Sequence, residues 1–278
     1  MMISSSPPVL HDHRSRVSEN LDLGSSHFLM TLEAEAIAAS ARPGQFVMLR
    51  FAGSLDPLLP RPMSICNVLP PEGPRTGRIQ ILHKIVGRGT HRLSTLRPGE
   101  TIQVLGPLGI PFEAPPPEAS GRDAVMVAGG IGIAIFPFLV PLLRRSGCPS
   151  LLLFGARSSG DLIQRDWFAR QGVQVSTATE DGSEGRRGFV TALLEERLSA
   201  GRPVAMIYAC GPQAMLRAVS RVAQGAGAPA QLSLESYMGC GIGACLGCVV
   251  KVRRDGGWAY RRICVDGPTF LSDEVIWE

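Results

Sequence analysis

At residues 113–123 the chain reads EAPPPEASGRD, and the hydrophobic rhythm differs on its two sides. Consecutive prolines lack N–H donors and hold φ fixed, so the segment continues neither a helix nor a central strand. Before it, from Arg16 to Phe112, short β-rich runs (QFVMLRF, RIQILHKIV, TIQVLGPLG) alternate with turn signals such as RPG, PPEGPRTG and LRPGE. Strands at that spacing predict an antiparallel barrel or sandwich. After it, from Asp123 to about Gly227, apolar strands (AVMVAGG, SLLLFGARS, VQVSTATED, VAMIYACGP) alternate with helical segments. That βαβ rhythm predicts a parallel sheet covered by helices. The expected divisions are a flexible tail over 1–15, a β domain over 16–118, an α/β domain over 119–228 and a small module over 229–278.

Composition narrows the function. The 278 residues suffice for about two domains, and 45% hydrophobic against 19% charged residues is an ordinary globular balance. The net charge of +4 comes without any Lys/Arg run, so no nucleic-acid partner is expected. The most apolar stretch, Ala124–Leu143, is interrupted by Gly129, Gly130, Pro137 and Pro141, so no membrane span is expected. The N-terminal MMISSSPPVLHDHRSR lacks the apolar region of a secretory leader. A cytoplasmic location is the default, where clustered thiols stay reduced and serve metals or redox chemistry more often than disulfides.

The clustered thiols are Cys240-x4-Cys245-x2-Cys248-x15-Cys264, in a segment that begins MGCGIGACLGCVVKV. C-x4-C-x2-C…C is the spacing of a plant-type [2Fe–2S] cluster. The glycines around it let the backbone curl and bring amide N–H groups to the sulfurs. Structural zinc usually draws on two close pairs, and this chain has one C-x2-C, so iron is favoured over zinc. Cys66 and Cys148 read as packing residues.

Other motifs speak to nucleotides. RPMSI (Arg61–Ile65) reads either as a turn or as an extended segment able to hold a phosphate and a flat ring. VGRGTHRLS (Val86–Ser94) reads as a glycine turn or as a helix start that favours a pyrophosphate. VMVAGGIGIA carries a strand into Gly129, Gly130 and Gly132 and then a helix, the geometry that sets a dinucleotide phosphate against a helix start. IYACGPQAML repeats the design at Gly211. No Ser/His/Asp set, carboxylate dyad or HExxH occurs. Such a chain moves electrons, and its cofactors carry the chemistry.

In this order RPMSI, GRGT, GPLG, AGGIGIA, ACGP and the cysteine quartet resemble the ferredoxin–NADP reductase superfamily. Within it the chain looks most similar to the electron-transfer subunits of class 1B dihydroorotate dehydrogenases, from about Arg16 to the C-terminus. The most specific stretch is ESYMGCGIGACLGCVV…RICVDGPTF. The resemblance implies an FAD-binding β-barrel, an NAD-binding α/β domain and a [2Fe–2S] module. FAD contacts would fall on Arg61, Pro62, Met63 and Ser64, then Leu82, His83 and Lys84, then Gly89 and Thr90. Gly129, Gly130 and Gly132 would serve NAD, as would Cys210, Gly211 and Pro212. Cys240, Cys245, Cys248 and Cys264 would be the cluster ligands. Two departures stand out. The family usually has an aromatic residue and Arg where this chain has His83 and Lys84. It often has Pro soon after the third glycine, where Ile135 and then Pro137 occur here, which predicts a shifted helix start.

The resemblance further implies a partner: an FMN-containing catalytic subunit that oxidises dihydroorotate in pyrimidine biosynthesis, in a heterotetramer of two of each. Two alternatives remain. One is the small flavin/iron–sulfur subunit of an NAD(P)H:ferredoxin oxidoreductase or sulfide dehydrogenase; the other is a zinc-binding regulatory module.

Overall fold

The computed structural model describes residues 10–53, 56–73, 76–254 and 256–277. Its N-terminal unit comprises β1 (His11–Gly24), β2 (His27–Glu33), α1 (Glu35–Ser40), β3 (Phe46–Arg50), β4 (Arg61–Ser64), β5 (Asn67–Leu69), β6 (Arg78–Lys84), α2 (Arg88–Ser94) and β7 (Thr101–Leu108). Its strands form one antiparallel sheet in the order β4-β3-β7-β1-β2-β6-β5. The two edge strands are consecutive in the chain, so the sheet must curl to bring its edges together. Ile65 and Cys66 make that link: their N–H groups donate to the carbonyls of Gln45, next to β3, and Gln80, in β6. Strand alternation turns Val17, Met30, Leu32, Val47, Leu49, Ile79, Ile81 and Val104 inward as one core.

Residues 1–9 of the expected tail lie outside the described residues. Residues 11–15 are not tail but the start of β1, paired from His11↔Gly106 to Ser15↔Ile102. The strand is mostly polar on both faces, so hydrophobic periodicity does not reveal it; β7 holds it by backbone hydrogen bonds.

The second unit comprises β8 (Asp123–Gly129), α3 (Val140–Arg145), β9 (Ser150–Ala156), α4 (Arg165–Arg170), β10 (Gln174–Thr179), β11 (Arg186–Arg187), α5 (Val190–Ser199), β12 (Val204–Cys210), α6 (Gln213–Gly225) and β13 (Ala230–Ser233). The C-terminal segment adds a hairpin of β14 (Val249–Arg254) and β15 (Gly257–Arg262), then α7 (Ile263–Asp266) and β16 (Thr269–Leu271). The second sheet runs β11-β10-β9-β8-β12-β13-β16. Its central strands are buried almost end to end, as strands covered on both faces must be. Helix α6 buries Leu216, Val219, Ser220 and Ala223 at i, i+3, i+4 and i+7. Each fully buried aliphatic side chain there stabilises the fold by about 1.5–3 kcal/mol.

One expectation needs correction and another is met. The sheet is mixed, not parallel, because β16 pairs antiparallel with β13 and ties the C-terminal segment to the α/β unit. The helix after the glycines is delayed: Gly130–Ile135 form a 3-10 turn, and α-helix begins only at Val140. Pro137 and Pro141 lack the N–H groups an earlier helix would use, and Pro141 falls in the first turn of α3, where that lack costs nothing. Among the described residues no helix is long and apolar enough to cross a membrane.

Candidate functional site

The chain leaves β8 outward through β9 and β10, then returns past β8 to β12, so the strand order reverses between β8 and β12. Ligands of open α/β sheets bind at such a reversal, beyond the carboxyl ends of the strands. Gly129 and Cys210 end the two strands there, and the turns that follow touch. A Cβ on Gly132 would lie 2.2 Å from the Cys210 carbonyl oxygen, so only glycine admits this approach. Beside it a cavity of about 480 Å³ is lined by Gly129, Gly130 and Pro212 from the two turns, and by Arg157, Asp161, Glu180, Phe189 and Thr191. Gly132, Cys210 and Gly211 shape the turns without lining this cavity. Cys210 is 2% exposed, and burial pushes its thiol well up.

A second cavity of about 220 Å³ opens between the two units. Pro62, Met63 and Ser64 of β4 line it, with Leu82, His83 and Lys84 of β6 and Thr90 of α2. Arg61 and Gly89 stand just outside this lining and pack on each other: a Cβ on Gly89 would fall 2.2 Å from Arg61 Nε. The Thr90 hydroxyl accepts from the N–H groups of Val86 (2.9 Å) and Gly87 (3.2 Å), which holds the glycine turn. His83 is 2% exposed, stacks on Phe28 and has no partner for either ring nitrogen; burial, helped by His27, pushes it down to about 4.

Lys84 lines both cavities. Its Nζ donates to Asp161 at 2.6 Å, so an ion pair crosses from the barrel to the α/β unit where the cavities meet. Met238, two residues before Cys240, also lines the smaller cavity. The three regions therefore adjoin in the order cysteine loop, small cavity, large cavity.

Among the described residues no three His, Cys, Asp or Glu side chains gather around one point as a single-ion site requires. The cysteines instead meet two by two. The Cys245 N–H donates to Cys240 Sγ at 3.4 Å, and the Cys264 thiol hydrogen-bonds with Cys248. Burial alone would raise the Cys240 thiol, but N–H groups of Cys245, Ile242 and Ala244 directed at its sulfur bring it down to about 7. Cys264 is pushed up to about 12 by burial and by Cys248. Gly241, at φ +73°, presses the loop onto β3, where a Cβ would lie 2.5 Å from Met48 Cγ.

Comparison with known proteins matches this layout. The sequence family "Iron-sulfur cluster binding domain of dihydroorotate dehydrogenase B" covers residues 235–276, and "Oxidoreductase NAD-binding domain" covers 126–221. The electron transfer subunit of dihydroorotate dehydrogenase B (NAD(+)) from Desulforamulus reducens is 39% identical over 90% of this chain and 93% of its own length. The chain belongs to the dihydroorotate dehydrogenase B electron-transfer subunits. The Bacillus caldolyticus subunit is 38% identical over 89% of the chain and 91% of its own length. Among solved structures, an NADH-dependent reduced ferredoxin–NADP oxidoreductase superposes with a TM-score of 0.80 at 28% identity, covering 95% of this chain and 90% of the other. A ferredoxin NADP+ reductase from Neisseria gonorrhoeae, with bound FAD and NADP, has a TM-score of 0.62 at 17% identity over 78% and 92% of the two chains, and shares the fold.

As a subunit of this family the protein is an oxidoreductase component that uses FAD, a [2Fe–2S] cluster and NAD. Its residues fit those groups. Pairwise thiols suit two irons with two thiolates each better than one zinc with four. The unpartnered nitrogens of His83 and the close Arg61–Gly89 packing mark the small cavity as a place built around a ligand. Sequence motifs missed part of the subunit's lining: Ile131 and Ser233–Ser236 at the small cavity, and Arg157, Asp161, Glu180 and Phe189 at the large one. Ile131, Glu235 and Ser236 fall inside quoted motifs that did not single them out, and the others carry no local pattern. Only the strand ends beyond β9, β10 and β13 could have pointed to them.

Proposed function

We propose that this subunit conducts electrons from an FMN-bearing catalytic subunit, which oxidises dihydroorotate to orotate, to NAD+. The observation that carries the reading is the adjacency of the three regions, joined by Met238 on one side and Lys84 on the other. When bound, the cluster supplies one-electron transfer and FAD supplies the change from single electrons to the pair that NAD+ accepts.

The chain's own residues position these groups. Cys240, Cys245, Cys248 and Cys264 would hold the cluster, and the loop N–H groups would offset negative charge at Cys240. Strands β4 and β6 form the flavin wall, with Pro62, Met63, Ser64, Leu82, His83, Lys84 and Thr90 as its surface. Gly129, Gly130 and Pro212 let the nucleotide approach the backbone at the strand reversal. Leu82 and Ala134 belong to one buried core that joins the two units beside this wall. The assembly is a heterotetramer of two subunits of each kind in the cytoplasm.

Isolating the native complex and analysing its cofactors tests the reading. FMN, FAD, iron and sulfide should co-purify, and the lone subunit should oxidise NADH with artificial acceptors but leave dihydroorotate untouched. A large partner with its own clusters and no FMN would overturn it. That outcome would favour the small subunit of an NAD(P)H:ferredoxin oxidoreductase, a reading supported by the likeness to the NADH-dependent reduced ferredoxin–NADP oxidoreductase structure.

A further inference from the structure

Among the described residues fifteen large apolar side chains are exposed, and six of them fall in one short stretch: Tyr237, Ile242, Leu246, Val249, Trp258 and Tyr260. Clustering of that kind marks a contact surface, whereas scattered exposed apolar residues need no explanation. The hairpin orders three of the six. Its register pairs Val249 with Arg262, Lys251 with Tyr260, and Arg253 with Trp258, so alternation sets these six side chains on one face. The opposite face is spent on packing: Val252 is 1% exposed, and Val250 packs against the core. Trp258 meets Tyr260 edge to face at 5.3 Å, and the Lys251 ammonium stands 4.2 Å from the Trp258 ring centroid. The outward face is thus a preformed surface that holds Trp258, Tyr260 and Arg253, the residue types that dominate binding hot spots.

Charge says what covers it. The outward face carries Lys251, Arg253 and Arg262 and no carboxylate of its own strands, with Arg262 held by Asp266 at 3.1 Å. Leu246 adds an independent sign. It is held at φ +55°, a left-handed conformation that favours glycine, yet it keeps a leucine that is 62% exposed beside Cys245.

We propose that the outer face of the β14–β15 hairpin, together with Leu246, is the docking surface for the catalytic subunit, which meets it with an apolar centre rimmed by carboxylates. This rests on the electron-transfer reading and assigns its partner contact. Trp258 and Tyr260 anchor the contact, Arg253 and Lys251 steer and orient it, and Leu246 seals it beside the cluster loop.

Binding of the full-length holo-subunit to the FMN-bearing subunit, measured by titration calorimetry, tests this. Trp258→Ala with Tyr260→Ala should weaken binding at least about 30-fold. Arg253→Glu should weaken it about tenfold, mainly through a slower on-rate at low salt. Leu246→Gly should weaken it about fivefold while the lone subunit melts no lower than wild type, because glycine relieves the left-handed strain. NADH–dye activity and the visible spectrum of each lone variant should match wild type. Wild-type affinity in all three variants overturns the proposal. So does self-association of the lone subunit that the double substitution abolishes, since a second copy would then own the face. If the double variant fails to fold, Arg253→Glu decides, because its site is exposed. No binding by the wild-type protein would instead refute the identity of the partner.

Discussion

The cluster loop and the flavin cleft are built on opposite plans. The loop takes its four thiols from 25 consecutive positions, Cys240–Cys264, and closes on itself through its own N–H groups. The cleft gathers β4, β6, α2, the turn after β8 and the segment after β13, which only the docking of the two units brings together. A local site can be lost without harm to its neighbours, whereas a composite one shares its fate with the interface.

Four substitutions or measurements probe that contrast, in order of expected effect. Cys264→Ala should abolish the cluster outright, read as loss of iron and of the visible and EPR signals, while FAD stays bound. Loss of FAD along with iron would show that the loop is not local after all. Gly132→Val forces a side chain into the Cys210 backbone, at a cost of about 3 kcal/mol. If that cost falls on the nucleotide-binding arrangement, the NADH dissociation constant rises about 100-fold with the cluster spectrum unchanged. Unaltered NADH binding would mean the two turns can separate freely. Lys84→Met should raise the FAD dissociation constant and the KM for NADH together, each about fivefold, because one side chain serves both cavities. A change in only one would break the composite picture.

The smallest effect is a titration. In cluster-free protein Cys240, held down to about 7, is thiolate above that pH, so its alkylation rate should rise through about pH 7 and then level off. Cys264, raised to about 12, should stay unmodified over the same range. Mass spectrometry of iodoacetamide-treated protein gives both rates. Equal reactivity would show that the loop N–H groups do not favour the Cys240 thiolate.

What could be read from the sequence follows the same division. The quartet and the two strand–glycine turns are local patterns; the structure joins the cysteines two by two and delays the α-helix after the first turn to Val140. Gly132 was legible because a backbone approach of that kind admits nothing larger. Asp161 was not, since nothing near it in the chain signals that Lys84 will arrive. The opening of β1 escaped for another reason: a strand held by backbone pairing, with Ser15 rather than an aliphatic residue as its first buried side chain, has no apolar alternation to detect.

The antiparallel pairing of β16 with β13 has a consequence for the chain's layout. Ser233 and Thr269 lie side by side in the sheet, so everything between them is topologically one very long hairpin loop. Lengthening a loop costs only logarithmically in closure entropy, about 0.6 kcal/mol per doubling, so an insert of this size burdens the sheet little. The redox segment is thus an excursion that begins and ends in one sheet, and its first residues, Leu234–Ser236, still belong to the wall of the small cavity.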